Sequence, residues 1–527
     1  MDLSKPSIIP LKSPIYQLPD DILLDILLLV LRDTTASQRD KRLGELMLVC
    51  PQWKALSDTP SLWAHVSSYQ SLSAMKKSLS KSKGALLDIV YTSYASELES
   101  EWLKRMETND LFLKSVHRWR SFEFRGSAQV SRRGMRLDAV FMDCLRCVTA
   151  PNLDSISLRS PVSVSFRRLF VTKPDRLRHI SLKGCLIPWD SGLFSGLETL
   201  ELYASEKGEH SLNGFIQFLQ VSPGLVKLSI ENWKPEWDLR PLSNEPIILL
   251  SLETLKMCRV TNHIAEHLLA IIRIPKCAKF HLTQHSRYPE STLFGPPMEH
   301  LFPMLRTIMA SCNYTRIRLW DLDLFVTSGN KVEEMLKIES TRAWSLSDWT
   351  NATTKGLWNL FDSTAATSSV DLTIRTDVRR TSLSTVFRLM ESSCHIKKLK
   401  LVQHNVIPSN QIGVILELLS KPTTIGGVAK WPLSSLRILE IIQHGRVTQD
   451  GLVDMVRNRY TDREPRETYE LPAKLQTLRI EGRAEVKFSQ LETMKGILGP
   501  GIVEYVPPEP EPVTHHYDSD EWQDDQS

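Results

Sequence analysis

The chain of 527 residues lacks the motifs that announce common chemistries. It has no phosphate-cradling G-x-x-x-x-G-K-[S/T], no G-x-G-x-x-G, no H-E-x-x-H and no G-x-S-x-G. Its fourteen histidines do not gather with cysteines at ligand spacing. No side chain stands out as catalytic, so the chain is not expected to be an enzyme, and no cofactor or metal is expected. The eight cysteines (50, 144, 147, 185, 258, 277, 312 and 394) form no disulfide framework. Cys144 and Cys147 make the one C-x-x-C, without a second pair to complete a zinc site, and are expected to be packed thiols. Scattered free thiols suit a reducing compartment, so the expected location is cytoplasm, nucleus or both. The longest apolar run, Ile22 to Leu31, is broken by Asp25 and is too short to span a bilayer, which needs about 20 residues. Acids rather than basic residues precede it, so it does not read as a secretory signal, and no membrane partner is expected.

Charge is unevenly spread. The formal net charge is +4, yet residues 507–527 hold seven acids and neither Lys nor Arg, which leaves +11 on the rest. The region 506–527 is expected to be a disordered acidic tail, and 1–14, with Pro6, Pro10 and Pro14, a disordered leader.

Residues 15–67 carry the densest apolar pattern. Leu18-Pro19-Asp20-Asp21 predicts a helix start: proline pre-sets the first turn and two carboxylates meet the positive end of the dipole. Ile22, Leu23, Ile26, Leu27 and Val30 follow helical spacing, while Leu24, Leu28, Leu29 and Leu31 load the other side too. A second apolar run, Leu43 to Val49, ends at Cys50-Pro51, and Pro51 can open a third helix bearing Trp53 and Leu56. Three short helices cannot bury this much apolar surface among themselves, so a partner is expected to cover some of it. The order Leu18-Pro19, Ile22, Ile26-Leu27, Leu46, Val49-Cys50, Trp53, Leu62-Trp63 resembles an F-box. That resemblance implies docking on a Skp-family adaptor, and through it on cullin and RING subunits, by Leu18, Pro19, Ile22, Ile26, Leu27, Leu46, Val49, Cys50 and Trp53. The connection from Leu31 to Leu43 is longer than the family usually has.

After a Ser/Lys-rich linker helix and loop at 68–83, residues 84–505 repeat the unit L-x-x-L-x-L. Copies begin at Leu153, Leu177, Leu197, Leu225, Leu252, Cys277, Leu305, Ile396, Leu436 and Leu475, with looser ones ending at Ile338 and Ile374 and two earlier candidates at Leu86 and Trp119. Successive copies lie 20 to 40 residues apart. Each alternating L-x-L is one short strand with its apolar side chains inward. Segments such as 212–220, 261–272 and 383–392 have helical spacing. The expected fold class is α/β: a three-helix F-box, then an irregular leucine-rich-repeat solenoid with short parallel strands on the concave face and helices outside. Phrases such as SKGALLDIV, RWRSFEF and LRHISLKGC, with Cys185 at the Asn/Cys ladder position, resemble fungal F-box proteins with degenerate repeats.

The resemblance implies a non-catalytic substrate receptor of an SCF-type cullin-RING ubiquitin ligase. The alternative is a scaffold of the same build acting outside any ligase. The outward strand positions mix both charges, which suits an unidentified target protein better than a phosphate backbone, so no nucleic-acid partner is expected. Arg159, Lys183, Tyr203, Glu231, Lys256, Lys337, Arg375 and Lys400 are the candidate target contacts, and Trp233 and Trp237 are candidate anchors.

Overall fold

The computed structural model describes residues 18–32, 34, 38–93, 99–126, 140–165, 169–203, 211–233, 245–285, 300–312, 314–320, 323–329, 334–341, 369–375, 396–403, 411–425, 428–443, 449–461, 471–482 and 486–507. The expected leader, the acidic tail beyond residue 507, the helix at 383–392 and Trp237 lie outside them. The chain forms two compact units, residues 1–254 and 255–527.

The first unit opens with helices α1 (Asp20–Arg32), α2 (Arg39–Met47) and α3 (Pro51–Leu56), followed by a 3₁₀ turn, Pro60–Trp63. The start of α1 falls where Pro19 and the two aspartates put it, and Pro51 opens α3. Strand β1 (His65–Ser67) follows at once. After it come α4 (Leu72–Lys81), capped by the Ser71 hydroxyl, then β2 (Leu87–Thr92), α5 (Glu99–Lys114), β3 (Trp119–Arg125), β4 (Ser155–Ser165), β5 (His179–Leu186) and β6 (Thr199–Tyr203). Helix α6 (Leu212–Gln220), β7 (Lys227–Glu231) and the short β8 (Ile247–Ile248) complete it.

Strands β1 to β7 pair in sequence order, all parallel. Their apolar positions line up as Ile89–Phe122–Ile156–Ile180–Leu200–Leu228 and Tyr91–Phe124–Leu158–Leu182–Leu202–Ile230, and all are buried. Helical segments cover this face. Phe112 of α5 meets the Tyr91 ring edge-on at 6.3 Å, and Phe141 of the helical turn 140–145 stacks on it at 4.4 Å. Aromatic pairs of this kind add about 0.5–1.5 kcal/mol beyond their burial. At the other end Trp189, Phe194, Phe215 and Phe218 pack together, and Trp233, fully buried, meets Phe215 edge-on at 4.9 Å. Trp233 is therefore core and not a binding anchor. Gly214 allows this packing, because a Cβ there would run into the Trp189 indole.

The second unit contains β9 (Thr254–Cys258), α7 (Asn262–Ile271), β10 (Ile272–Arg273), β11 (Lys279–His285), α8 (Phe302–Ala310), β12 (Tyr314–Trp320), β13 (Asp323–Gly329), β14 (Glu334–Thr341) and β15 (Ser369–Arg375). It continues with β16 (Ile396–Gln403), α9 (Gln411–Leu419), the hairpin β17 (Thr423–Ile425) and β18 (Val428–Lys430), β19 (Ile438–Gln443), α10 (Gln449–Tyr460), β20 (Thr477–Gly482), α11 (Phe488–Leu498) and β21 (Val503–Val506). Strands β12, β15, β16, β19, β20 and β21 run parallel in that order.

Two expectations fail here. Leu305-Ile308-Ala310, read as a strand copy, lies in α8: Leu301, Met304, Leu305, Ile308 and Met309 are buried at helical spacing, with Pro303 in the first turn. The strands are also not all parallel, since β13 runs antiparallel to both β12 and β14.

Candidate functional site

Helix α1 buries Leu23, Leu27 and Leu31, one turn apart, against Leu43, Leu46, Cys50, Trp53, Leu62 and Trp63. Its adjacent stripe is left open: Pro19 is exposed, Ile22 and Leu29 are 43% and 60% exposed, and Ile26 between them is half-buried. Beyond α2, Leu48 and Val49 are 86% and 57% exposed. The Gln52 side-chain amide donates to Asp20 Oδ1 at 2.8 Å, which holds the α2–α3 junction beside the first turn of α1. The open stripe and the junction are thus exposed apolar parts of one small bundle, linked at the first turn of α1, and apolar surface of this kind is what partners cover.

The nine predicted adaptor contacts divide accordingly. Pro19, Ile22 and Val49 are exposed, and Leu18 and Ile26 half-buried. Leu27, Leu46, Cys50 and Trp53 face inward as the module's own core, so they support the exposed residues without joining them. Leu29 and Leu48 are exposed as well and were not among the nine. Leu29 could have been found from the spacing Pro19, Ile22, Ile26, Leu29, whereas Leu48 follows the end of α2 and has no periodic signal.

The long α1–α2 connection is tied down at both ends. Thr34 donates to the Val30 carbonyl at 2.8 Å and Arg39 to the Leu31 carbonyl at 2.6 Å. The module is equally fixed to the strands behind it. Gln70, in the turn after β1, donates to Asp40 at 2.8 Å, and Lys81 of α4 reaches Asp58 at 2.7 Å while lying 5.1 Å over the Trp63 ring. Behind them His65, half-buried near Arg39 and Asp88, has its pKa pushed down to about 4, chiefly because its partial burial disfavours the imidazolium. Burial works against the Asp88 carboxylate, but hydrogen bonds from Arg120 and Ser121 outweigh it and hold its pKa below the usual range.

The second candidate surface is the polar face of β2–β7. Arg159, Lys183, Tyr203 and Glu231 are successive register partners, so four of the eight predicted target contacts form a single row, continued by Arg125. One position back along the same face lie Glu123, Ser157, Ser181, Glu201 and Ser229. Arg125 grips Glu123 with two hydrogen bonds of 2.9 Å, and Lys227 reaches Glu201 at 2.6 Å. Burial works to raise the Glu201 pKa, yet the hydrogen bond and charge of Lys227, the Ser181 hydrogen bond and the charge of Arg159 together hold it below the usual carboxylate range.

The other four predicted contacts belong to the second unit. Lys256 is half-buried on β9, and Lys400 is half-buried 4.0 Å from Glu440. Arg375 shares its register position with the buried Val402, so it is not in the Lys400 row. Lys337 is on β14 beside the antiparallel β13, and its side chain and that of Arg375 lie outside the described residues. Cys147 is exposed and Cys144 half-buried, so the pair is not packed as expected. Among the described residues no His/Cys/Asp/Glu group could hold a metal ion, and no helix is long and apolar enough to cross a membrane.

No curated protein matches the chain. Residues 15–68 match the family described as F-box-like, over the span that carries the three helices and their exposed apolar residues. The amino-terminal module is an F-box-like domain.

Proposed function

We propose that the chain is a non-catalytic substrate receptor of an SCF-type cullin-RING ubiquitin ligase, working in the cytoplasm or nucleus. The observation that carries this reading is the exposed set Pro19, Ile22, Leu29, Leu48 and Val49 on an F-box-like domain that keeps Leu23, Leu27, Leu31, Leu43, Leu46 and Leu62 buried in its own core. A Skp-family adaptor would cover that set. The strand units behind it, taken as an irregular leucine-rich-repeat solenoid, would hold a target protein near the ubiquitin-charged enzyme. The gain in rate would come from raised effective concentration rather than side-chain chemistry.

The test is recovery of purified Skp-family adaptor on Ile22→Asp with Val49→Asp. Each substitution places a carboxylate where an apolar contact is needed, and together they should reduce recovery at least a hundredfold while thermal unfolding is unchanged. Undiminished recovery would refute the assignment. Recovery of adaptor from cells without cullin would point to the scaffold instead.

A further inference from the structure

The polar face of β3–β7 holds an unbalanced pair of cations. Glu123 is already satisfied by the bidentate Arg125, and Glu201 by Lys227 and Ser181. Arg159 reaches Glu123 only at 3.7 Å, and Lys183 has no carboxylate within ion-pair distance among the described residues; its ammonium lies 4.6 Å over the Tyr203 ring. Yet Arg159 and Lys183 are register partners on neighbouring strands, about 5 Å apart, where like charges repel. Both are exposed, and both strands leave regular geometry just beyond them. The β4 pairing breaks after Arg159 and resumes only at Val164, and Gly184 follows Lys183 with φ +63°. The two side chains therefore stand where the strand pairing turns irregular.

We propose that Arg159 and Lys183 form a carboxylate clamp for an extended acidic segment of a protein partner. The inference rests on the receptor reading for the identity of that partner as a target. A guanidinium offers a carboxylate a two-toothed hydrogen bond, and the Tyr203 ring holds the ammonium beside it. Charge complementarity also selects the occupant. Glu231 closes the row beyond Tyr203, and Glu123 and Glu201 lie one position back, so a continuous phosphate backbone laid along this face would meet carboxylates as well as cations, whereas a discrete acidic side chain can meet the two cations alone.

The experiment measures fluorescence anisotropy of the full chain with a labelled twelve-residue peptide alternating Asp and Ala. The same peptide with Asn for Asp and an oligothymidylate of equal length serve as comparisons. The Asp peptide should bind more tightly than both, and Arg159→Glu with Lys183→Glu should weaken it at least tenfold. Lys276→Glu with Lys421→Glu, an equal charge change on the second unit, should not. Failure of the wild-type chain to bind the Asp peptide, equal loss in the control pair, or tighter binding of the oligonucleotide would overturn the clamp. Adaptor recovery measured on the same variants keeps the two readings apart: loss of peptide binding with adaptor retained tests the clamp alone.

Discussion

Leu27, one of the nine predicted adaptor contacts, and Leu48, which is not among them, have opposite fates in the structure. Leu27 is 1% exposed inside a cluster with Leu23, Leu31 and Trp53. Leu27→Ala should remove about 2–5 kcal/mol of stability, since a buried leucine loses both its transfer energy and its packing. For a unit of this size that is a fall of roughly 5–15 °C in the unfolding midpoint. Leu48 is 86% exposed, so Leu48→Ala should shift stability by no more than about 0.5 kcal/mol. Its effect should appear in binding: covering a leucine is worth about 1.5–3 kcal/mol, and a loss of about 2 weakens the complex roughly thirtyfold. Thermal unfolding followed by circular dichroism, paired with calorimetric titration of a Skp-family adaptor, reads both quantities. A Leu48→Ala variant that binds as wild type would remove Leu48 from the interface. A Leu27→Ala variant with an unchanged midpoint would contradict the packing described for the bundle.

Two further outcomes follow from the first unit. His65 has a folded pKa near 4 against an ordinary 6.5, so the unfolded chain takes up more protons between those values; stability present above about pH 6.5 should be lost as pH falls toward 4. The loss should reach about 3 kcal/mol, and denaturant titrations at pH 7.5, 5.5 and 4.5 should show it shrink in His65→Asn. Gly214→Ala should cost about 1–3 kcal/mol, because the added methyl collides with the Trp189 ring inside a filled aromatic cluster, and an unaltered unfolding midpoint would show that the ring moves aside freely.

How much of this could be read in advance depends on which interaction decides each element. The start of α1 and the opening of α3 are set by Pro19, the aspartates and Pro51, which act locally, so sequence order was enough. The inward rows were legible because alternation at L-x-L is itself the cause of burial. The α8 segment misled because Leu305, Ile308 and Ala310 fit the repeat spacing while Leu301, Met304 and Met309 fit a helix. Burial along the whole helical stripe decided between them. The antiparallel β13 has no Asn-Gly or similar turn signal before it, and strand direction is a property of pairing rather than of one strand. At the candidate surfaces, exposure was the missing quantity. Nothing in the order of residues says that Cys50 turns in while Val49 turns out, or that Glu123 is claimed by Arg125 and so leaves Arg159 in surplus.

Strand β1 begins two residues after Trp63 and pairs directly with β2, so no slack separates the helical bundle from the sheet. Whatever seats itself on the bundle fixes the azimuth of the strands behind it, as a handle fixes the angle of a blade. Cargo held on those strands would then be presented at one bearing only, and the lysines within reach of modification would be chosen by aim rather than by affinity.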